Sequence, residues 1–503
     1  MKRIIVVGAG VAGLTAAIKA SDNAVVDLIS PDYSERSQSV MAMGGINASL
    51  NTKGQNDSSE QHFIDTMRGG CEINDVDAVF KLTNDAPKIV EWLSKIGTNF
   101  TRDSYGNIDL RYFGGQKKQR TAYAGARTGK QIVTALVNQC RKYEDYGNII
   151  RHVGWRFLSL IFTDNNECVG VVCVNEDDGA IKSFVGDAVI IASGGLNSLF
   201  GKTVGSTQND GYVTAKLLTQ GVQLSNLEMI QYHPTTVLTP NKRMLITEAA
   251  RGEGGKLYVM RDNKKYYFMQ EWYPEMAELM PRDVVSRSIY KASSGGEKEV
   301  YLDITHLDKD TIKVKLDEVY DVCTQYLNLN PIVEPIPVFP GVHYFMGGIK
   351  TDANHKTNIR GLYAAGECSS QYHGANRLGG NSLLGAIHGG WIAAENALLE
   401  NPSGKIIQKE TTLPTQNDVR LAEIMSRSMG LYRDDENLNK GLDELSNMKE
   451  TPIIILAKAC ILSALERKES RGAHQRIDYP KTVLEFEKTS NVLYDGEINI
   501  FFE

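Results

Sequence analysis

Ile4-Ile5-Val6-Val7-Gly8-Ala9-Gly10-Val11-Ala12-Gly13-Leu14-Thr15-Ala16-Ala17-Ile18 decides the fold of this chain. Four continuous apolar, β-branched residues suit a strand buried on both faces, as in a parallel sheet. A Gly-x-Gly-x-x-Gly run follows at once, and the residues after it have helical character. A second apolar strand, Val25 to Ile29, completes a β-α-β unit and ends at Ser30. In that setting each glycine has its own task. Gly8 makes the tight turn, Gly10 lets backbone approach a pyrophosphate, and Gly13 lets helix and strand pack closely. The helix N-terminus adds free N–H groups and partial positive charge for the phosphates. The acidic ribose ligand expected after the second strand is missing, since that place holds Ser30 and then Pro31. A serine hydroxyl can still bond a ribose, but the usual reason for preferring NAD is weakened.

Working outward, residues 155–164, 168–175 and 182–185 read as three short strands joined by the polar turns Asn165-Asn166 and Asp177-Asp178-Gly179. Ala188 to Ala192 is another buried strand and ends at Ser193-Gly194-Gly195. This resembles the small antiparallel insertion and returning strand of two-dinucleotide-domain flavoproteins. Gly361-Leu362-Tyr363-Ala364-Ala365-Gly366-Glu367 is a further strand-to-glycine element. Cofactor-type segments thus flank residues 196–360, whose character differs, and a nucleotide-binding domain interrupted by an insertion follows. From about residue 405 the composition turns polar and helical. The predicted class is α/β: a Rossmann-like domain interrupted by an α+β unit and followed by a helical C-terminal unit.

The 503 residues carry 55 basic and 61 acidic side chains, a net charge of −6, which speaks against a nucleic-acid footprint. No apolar run approaches the roughly 20 residues that span a bilayer. The chain enters its first β-α pattern at Ile4 without a cleavable leader, so the expected location is the cytoplasm, with peripheral attachment at a membrane only through a partner. Seven scattered cysteines include no C-x-x-C pair, which disfavours a zinc or iron–sulfur site held by this chain. Cys168 and Cys173 read as small apolar residues of one hairpin. Electron chemistry then calls for a bound organic cofactor.

Several polar groups stand where core packing would not need them. Gln231-Tyr232-His233-Pro234-Thr235 sets a histidine before a proline, in extended backbone. Thr247-Glu248-Ala249-Ala250-Arg251-Gly252-Glu253 alternates charge with small residues, and Pro281-Arg282-Asp283 opens a helix. His343-Tyr344-Phe345-Met346-Gly347-Gly348 and His373-Gly374-Ala375-Asn376-Arg377 each pair basic side chains with glycine-rich backbone. Two histidines, two arginines and a threonine, with no nucleophile motif or metal spacing, suit a small dicarboxylate. Arg offers a bidentate fork, and His and Thr supply shorter donors.

With these groups, Ser39-Val40-Met41-Ala42-Met43-Gly44-Gly45-Ile46, Phe113-Gly114-Gly115 through Arg120-Thr121, and Arg467-Lys468-Glu469-Ser470-Arg471-Gly472-Ala473-His474, the sequence resembles the succinate dehydrogenase/fumarate reductase flavoprotein family. L-Aspartate oxidase is a near relative. The resemblance implies an FAD-binding domain over 1–233 and 343–404, a mobile capping domain over 234–342 and a C-terminal helical domain over 405–503. It implies that His233 and Thr247 hold one carboxylate of fumarate and His343 and Arg377 the other, with Phe113 beside them. Hydride leaves flavin N5, and Arg282 donates the proton, resupplied through Glu248 and Arg251. The implied FAD contacts are Gly8, Gly10, Ala12, Gly13, Ser30, Ser37, Gln38, Ser39, Met43, Gly44, Gly45, Ser193, Gly194, Asp210 and Arg377. Glu367 would meet the ribityl or ribose hydroxyls. Ser382 and Leu383, opening a helix, would aim its positive end at the flavin N1/C2 carbonyl.

Three departures bear on activity. Respiratory relatives bind FAD covalently through a histidine in a Ser-His-Thr/Ser element, which here reads Ser37-Gln38-Ser39, so noncovalent FAD is expected. In the family the link raises the flavin potential, so its absence favours fumarate reduction. L-Aspartate oxidase carries a glutamate before the first Gly-Gly, where this chain has Phe113, and that favours fumarate over aspartate. Ala126 replaces an aspartate common among relatives. An iron–sulfur electron-transfer partner is compatible with the family. The chain is shorter than respiratory relatives at its C-terminus, which favours a simpler assembly. A role as an electron-transfer subunit without its own turnover is the remaining alternative, and the intact His/Thr/Arg set weighs against it.

Overall fold

The computed structural model describes Met1 to Glu503 except residue 126, residue 241, residues 408–412 and residues 414–418. Ala126 therefore lies outside the described residues.

Five strands form a parallel sheet in the order Leu362–Ala364, Ala188–Ile191, Lys2–Val7, Ala24–Ser30, Ile149–Val153. Lys2–Val7 is central, as its unbroken apolar run requires. Ile4 and Val6 join a core with the Val11–Ser21, Val76–Lys95, Thr128–Asp145 and Asn381–Ala397 helices. Ile5 and Val7 face the opposite core, shared with the C-terminal helices. The Val11–Ser21 and Asn381–Ala397 helices meet backbone to backbone, because a Cβ on Gly390 would lie 2.2 Å from the Ala12 carbonyl oxygen. Only a residue without a side chain fits there.

The three short strands expected from the sequence are present as an antiparallel set, Trp155–Thr163, Cys168–Asn175 and Ile181–Val185. Cys168 and Cys173 are buried within it.

A six-stranded antiparallel sheet forms the inserted unit, in the order Arg243–Leu245, Ile230–Leu238, Ile336–Phe345, Val300–Asp303, Lys256–Arg261, Lys264–Tyr266. The Arg282–Ala292 and Asp317–Tyr326 helices supply Val285, Ile289, Val319 and Val322 to its separate core. Chain leaves through Ile230–Leu238 and returns through Ile336–Phe345, and the two pair with irregularities between Gln231/Tyr232 and His233/Thr236. Pro234, which lacks an N–H, lies in the second irregularity, where the ladder is already interrupted. The positions 233/234 and 342/343 thus fall inside paired strands rather than linkers.

C-terminal helices Val419–Ser428, Asp435–Ser446 and Pro452–Glu466 bury Leu421, Ile424, Leu438, Leu445 and Leu456. Thr451 caps the last of them, accepting from the Ile454 N–H at 3.4 Å, with Pro452 in the first turn. Beyond them the chain forms a hairpin, Ser490–Tyr494 with Ile498–Phe502, which pairs with Leu224–Ser225. The helical reading of 405–503 did not include this hairpin, whose alternating Val492, Ile498 and Ile500 are diluted by polar neighbours.

Candidate active site

A cavity of about 460 Å³ opens at the carboxyl ends of the parallel strands and runs under the inserted unit. Its first part is built from the glycine loop. Gly8 holds φ at +112°, and a Cβ there would sit 2.1 Å from the Ala192 carbonyl oxygen. Gly13 does not line this cavity; a Cβ on it would lie 1.7 Å from the Gly8 carbonyl oxygen, so its task is helix-to-strand contact. Gly8, Gly10, Ala12, Ser30, Ser37, Gln38, Ser39, Met43, Gly44 and Gly45 line the cavity, as do Ser193, Gly194, Asp210, Glu367, Arg377, Ser382 and Leu383. Ser37 Oγ is buried without a partner, a polar atom that a bound nucleotide can satisfy. Backbone cradle, two helix N-termini and polar lining together fit an elongated dinucleotide.

Local contacts refine the expected ligands. Ser30 Oγ donates to the Asp32 carbonyl at 2.7 Å. Asp32 also lines the cavity, which sequence reasoning missed; its carboxylate accepts from the Tyr33 N–H and from Gln208 Nε2, each at 2.7 Å. Gln38 Oε1 accepts from the Ser206 N–H at 2.6 Å, tying this loop to residues 203–209. Asp210 forms an ion pair with Arg156. Burial pushes the Glu367 carboxyl up to about 7, while the Phe345 N–H, donating at 3.2 Å, and Arg377 pull it down.

The second part of the cavity gathers His233, Thr247, Glu248, Arg282, His343, Arg377 and Phe113. The imidazole centroids of His233 and His343, on adjacent antiparallel strands, lie 5.1 Å apart with their rings at 69°. Arg282 occupies the first position of its helix, where the backbone dipole disfavours a cation. Glu248 compensates: its Oε2 accepts from Arg282 Nε at 3.0 Å and Nη2 at 2.7 Å, and its Oε1 accepts from Arg251 Nη2 at 3.0 Å. Burial would raise the Glu248 carboxyl, but Arg282 and Arg251 hold it down to about 2. Burial, with nearby Arg282, drives both imidazoles well below their usual range, so they are neutral. Burial and Arg282 likewise lower Arg377 to about 9, still protonated near neutrality.

Glu248 pairs directly with Arg282 and Arg251, whereas Arg377 meets the neutral Gln231 oxygen, so positive charge is in excess at this end of the cavity. His233 Nε2, His343 Nδ1 and Arg377 Nε are buried with no hydrogen-bond partner. An unmade bond of this kind costs roughly 1–3 kcal/mol, so the pocket is arranged for an anion with several acceptors. Phe113 packs between glycines: a Cβ on Gly44 would lie 2.4 Å from its ring and one on Gly379 2.9 Å. Arg111 stands 5.7 Å from the same ring and donates to the Gly44 and Met43 carbonyls at 3.0 and 3.1 Å. Phe113 itself offers no carboxylate to an ammonium group; a neighbouring one, Glu248, is 3.3 Å from the same Gly379 Cβ position and is engaged by Arg282 and Arg251. Arg251 is 2 % exposed and donates to the Glu278 carbonyl at 2.5 Å, so the Arg282–Glu248–Arg251 chain is contiguous and closed at its outer end.

Comparison with known proteins shows the family. The FAD binding domain profile covers residues 3–383, and that of the fumarate reductase flavoprotein C-terminus covers residues 451–498. The succinate dehydrogenase flavoprotein subunit of Bacillus subtilis is 38% identical, over 95% of this chain and 91% of the relative. The chain belongs to the succinate dehydrogenase/fumarate reductase flavoprotein family. A second member, the fumarate reductase flavoprotein subunit of Mycobacterium tuberculosis, is 34% identical over 95% of this chain and 92% of its own. Among solved structures, Escherichia coli quinol fumarate reductase superposes with a TM-score of 0.90 at 30% identity, over 100% of this chain and 97% of that one. FAD is accordingly the cofactor of this family member, an oxidoreductase.

Sequence reasoning also missed the buried amides Gln231 and Asn376, which bond to the arginines or to each other. Both lie inside quoted motifs, yet an amide carries no compositional signal of its own.

Proposed function

We propose that this chain reduces fumarate to succinate with noncovalently held FAD. The carrying observation is the arginine cluster of Arg282, Arg251 and Arg377 beside the unsatisfied polar atoms of His233, His343 and Arg377, a match for a doubly negative C4 acid. His233 and Thr247 hold one carboxylate, and His343 and Arg377 hold and polarise the other. Polarisation draws negative charge onto that carboxylate in the transition state, where fixed cationic donors act most strongly. When bound, FAD supplies the hydride equivalent to one olefinic carbon. Arg282 gives a proton to the neighbouring carbon, and Glu248 and Arg251 return one to it. The 234–342 unit acts as a cap whose closure brings Arg282 to the substrate and excludes water.

Gln38 supports the noncovalent reading, since an amide cannot form the histidyl link and this one is engaged by the Ser206 N–H. Phe113 between Gly44 and Gly379 supports fumarate over aspartate. The relatives are named as subunits, which supports an iron–sulfur electron-transfer partner. Among the described residues no helix is long and apolar enough to cross a membrane; the reading places any membrane attachment with that partner.

The test is anaerobic. Holoprotein reduced by a viologen dye is expected to reoxidise on adding fumarate, and L-aspartate with oxygen is expected to give no peroxide. Peroxide from aspartate with no response to fumarate reverses the assignment.

A further inference from the structure

The two active-site arginines share one acceptor, and that acceptor is neutral. Gln231 Oε1 receives Arg377 Nη2 at 3.0 Å and Arg282 Nη1 at 3.3 Å. Gln231 Nε2 donates to Asn376 Oδ1 at 2.8 Å and to the Arg377 carbonyl at 2.9 Å. Asn376 Nδ2 donates in turn to Asp283 Oδ1 at 3.0 Å, and Asp283 Oδ2 accepts from Arg287 Nη1 at 2.9 Å. Gln231 is fully buried and Asn376 is 5 % exposed, so water cannot replace these bonds freely.

The direction of this chain is forced by its ends. Guanidinium groups only donate and a carboxylate only accepts, whereas each amide between them could face either way. Asp283 therefore requires the Asn376 NH2 to face it, which turns the Asn376 oxygen to Gln231. The Gln231 NH2 must then face Asn376, leaving its oxygen for the two arginines. Asp283 and Arg287 belong to the inserted unit, whereas Asn376 belongs to the FAD-binding part.

We propose that Asp283, Asn376 and Gln231 are positioning residues: a polarised amide relay through which the inserted unit fixes Arg282 and Arg377 for the dicarboxylate. The neutrality of Gln231 matters as much as its shape. It holds two like charges together without adding a negative charge of its own: Arg282 keeps Glu248 as its partner, and the substrate supplies the counter-charge for Arg377. This inference rests on the proposed dicarboxylate reading.

Polarity can be tested without changing size. In Asp283→Asn, Arg287 still demands an oxygen, so the new NH2 faces the Asn376 NH2. The amides must then flip in series or separate, and either outcome removes the shared acceptor. Arg287→Met alone leaves the direction of the relay intact. Added to Asp283→Asn, it lets the new amide turn its oxygen toward Asn376 and restores the original direction. Succinate binding to oxidised holoenzyme, followed by the flavin absorbance change, and fumarate KM and kcat would be measured for all four proteins at matched FAD content. The expected pattern is roughly tenfold weaker succinate binding and a raised fumarate KM in Asp283→Asn, with near-normal values in Arg287→Met and recovery in the double variant, a coupling between neighbouring sites. Asp283→Asn binding within twofold of wild type, or a double variant no better than Asp283→Asn, overturns the relay. Gln231→Glu addresses neutrality and does not depend on those variants folding: it keeps the acceptor but adds charge, and at least tenfold weaker succinate binding is expected. Unchanged binding removes that part of the proposal. A wild type that neither binds succinate nor reacts with fumarate defeats the functional reading itself, which distinguishes the two failures.

Discussion

Arg282 meets Glu248 through two bonds into a single carboxylate oxygen, Nε at 3.0 Å and Nη2 at 2.7 Å, leaving Nη1 to the Gln231 oxygen. A guanidinium fixed on two sides is a positioned donor rather than a flexible charge. Arg282→Ala is expected to retain FAD, by its absorbance, while fumarate turnover falls by roughly 10²–10⁴, the usual weight of general acid catalysis. A near-normal rate would remove Arg282 from proton transfer.

Glu248→Gln leaves Arg282 and Arg251 without their shared carboxylate. Breaking a buried ion pair from one side costs about 3–5 kcal/mol, so a lower melting temperature and loss of turnover are expected together. The pH profile adds a separate check. With its carboxyl held at about 2, Glu248 contributes stability that is present above the ordinary carboxylate range and fades only as acid approaches that value. Glu248→Gln should therefore lose this contribution evenly between pH 5 and 8.

Noncovalent FAD has a direct signature. Acid precipitation of the purified protein is expected to leave all of the yellow absorbance in the supernatant and none on the denatured chain. Flavin retained by the pellet contradicts the reading of Gln38.

Gly13→Ala should block FAD binding without destroying the fold elsewhere. The new methyl would meet the Gly8 carbonyl oxygen at 1.7 Å, a contact relieved only by moving the helix off the loop. The expected product is soluble protein with its cofactor content reduced about tenfold or more, a shift of roughly 1.4 kcal/mol or above; normal flavin content would show that the loop tolerates the shift.

Glu318, on the Asp317–Tyr326 helix of the inserted unit, lies 3.6 Å from Arg127 on the FAD-binding part. Burial and the neighbouring Asp317 push its carboxyl up to about 8, although Arg127 and Arg111 pull the other way. Its neutral form is favoured in the fold, so the stability it contributes is complete only below the ordinary carboxylate value and is lost as pH rises from there to about 8. The melting temperature should fall between about pH 4.5 and 8, and Glu318→Gln should remove part of that fall, by about 2 °C. Parallel curves for the two proteins would assign the pH dependence to other groups.

Regular local patterns made much of the fold legible. The run Ile4 to Val7 with its glycines specified a strand, turn and helix, and the Trp155–Val185 strands followed from apolar runs broken by Asn and Asp-Gly turns. The Ser490–Phe502 hairpin was hidden because its partner, Leu224–Ser225, is remote in sequence. His233, His343 and Arg377 were noticed as polar residues in glycine-rich or proline-flanked contexts, but their convergence depends on two paired strands and a distant loop. Gln231 and Asn376 could not be read at all, since an amide acquires a direction only from the groups at either end of its network. Asp32 was passed over because its carboxylate stands two positions beyond the place where an acidic ribose ligand is sought.

The edge strand Leu362–Ala364 seats itself beside Ala188–Ile191 although the whole inserted unit lies between them in the chain. During synthesis on a ribosome, the strands of the antiparallel sheet and the Arg282–Ala292 helix packed on it are thus all made before the parallel sheet can close. Until then Ala188–Ile191 offers an unpaired margin to solvent, the kind of surface that invites aggregation. The order of synthesis thus leaves this margin open for as long as the inserted unit is being made.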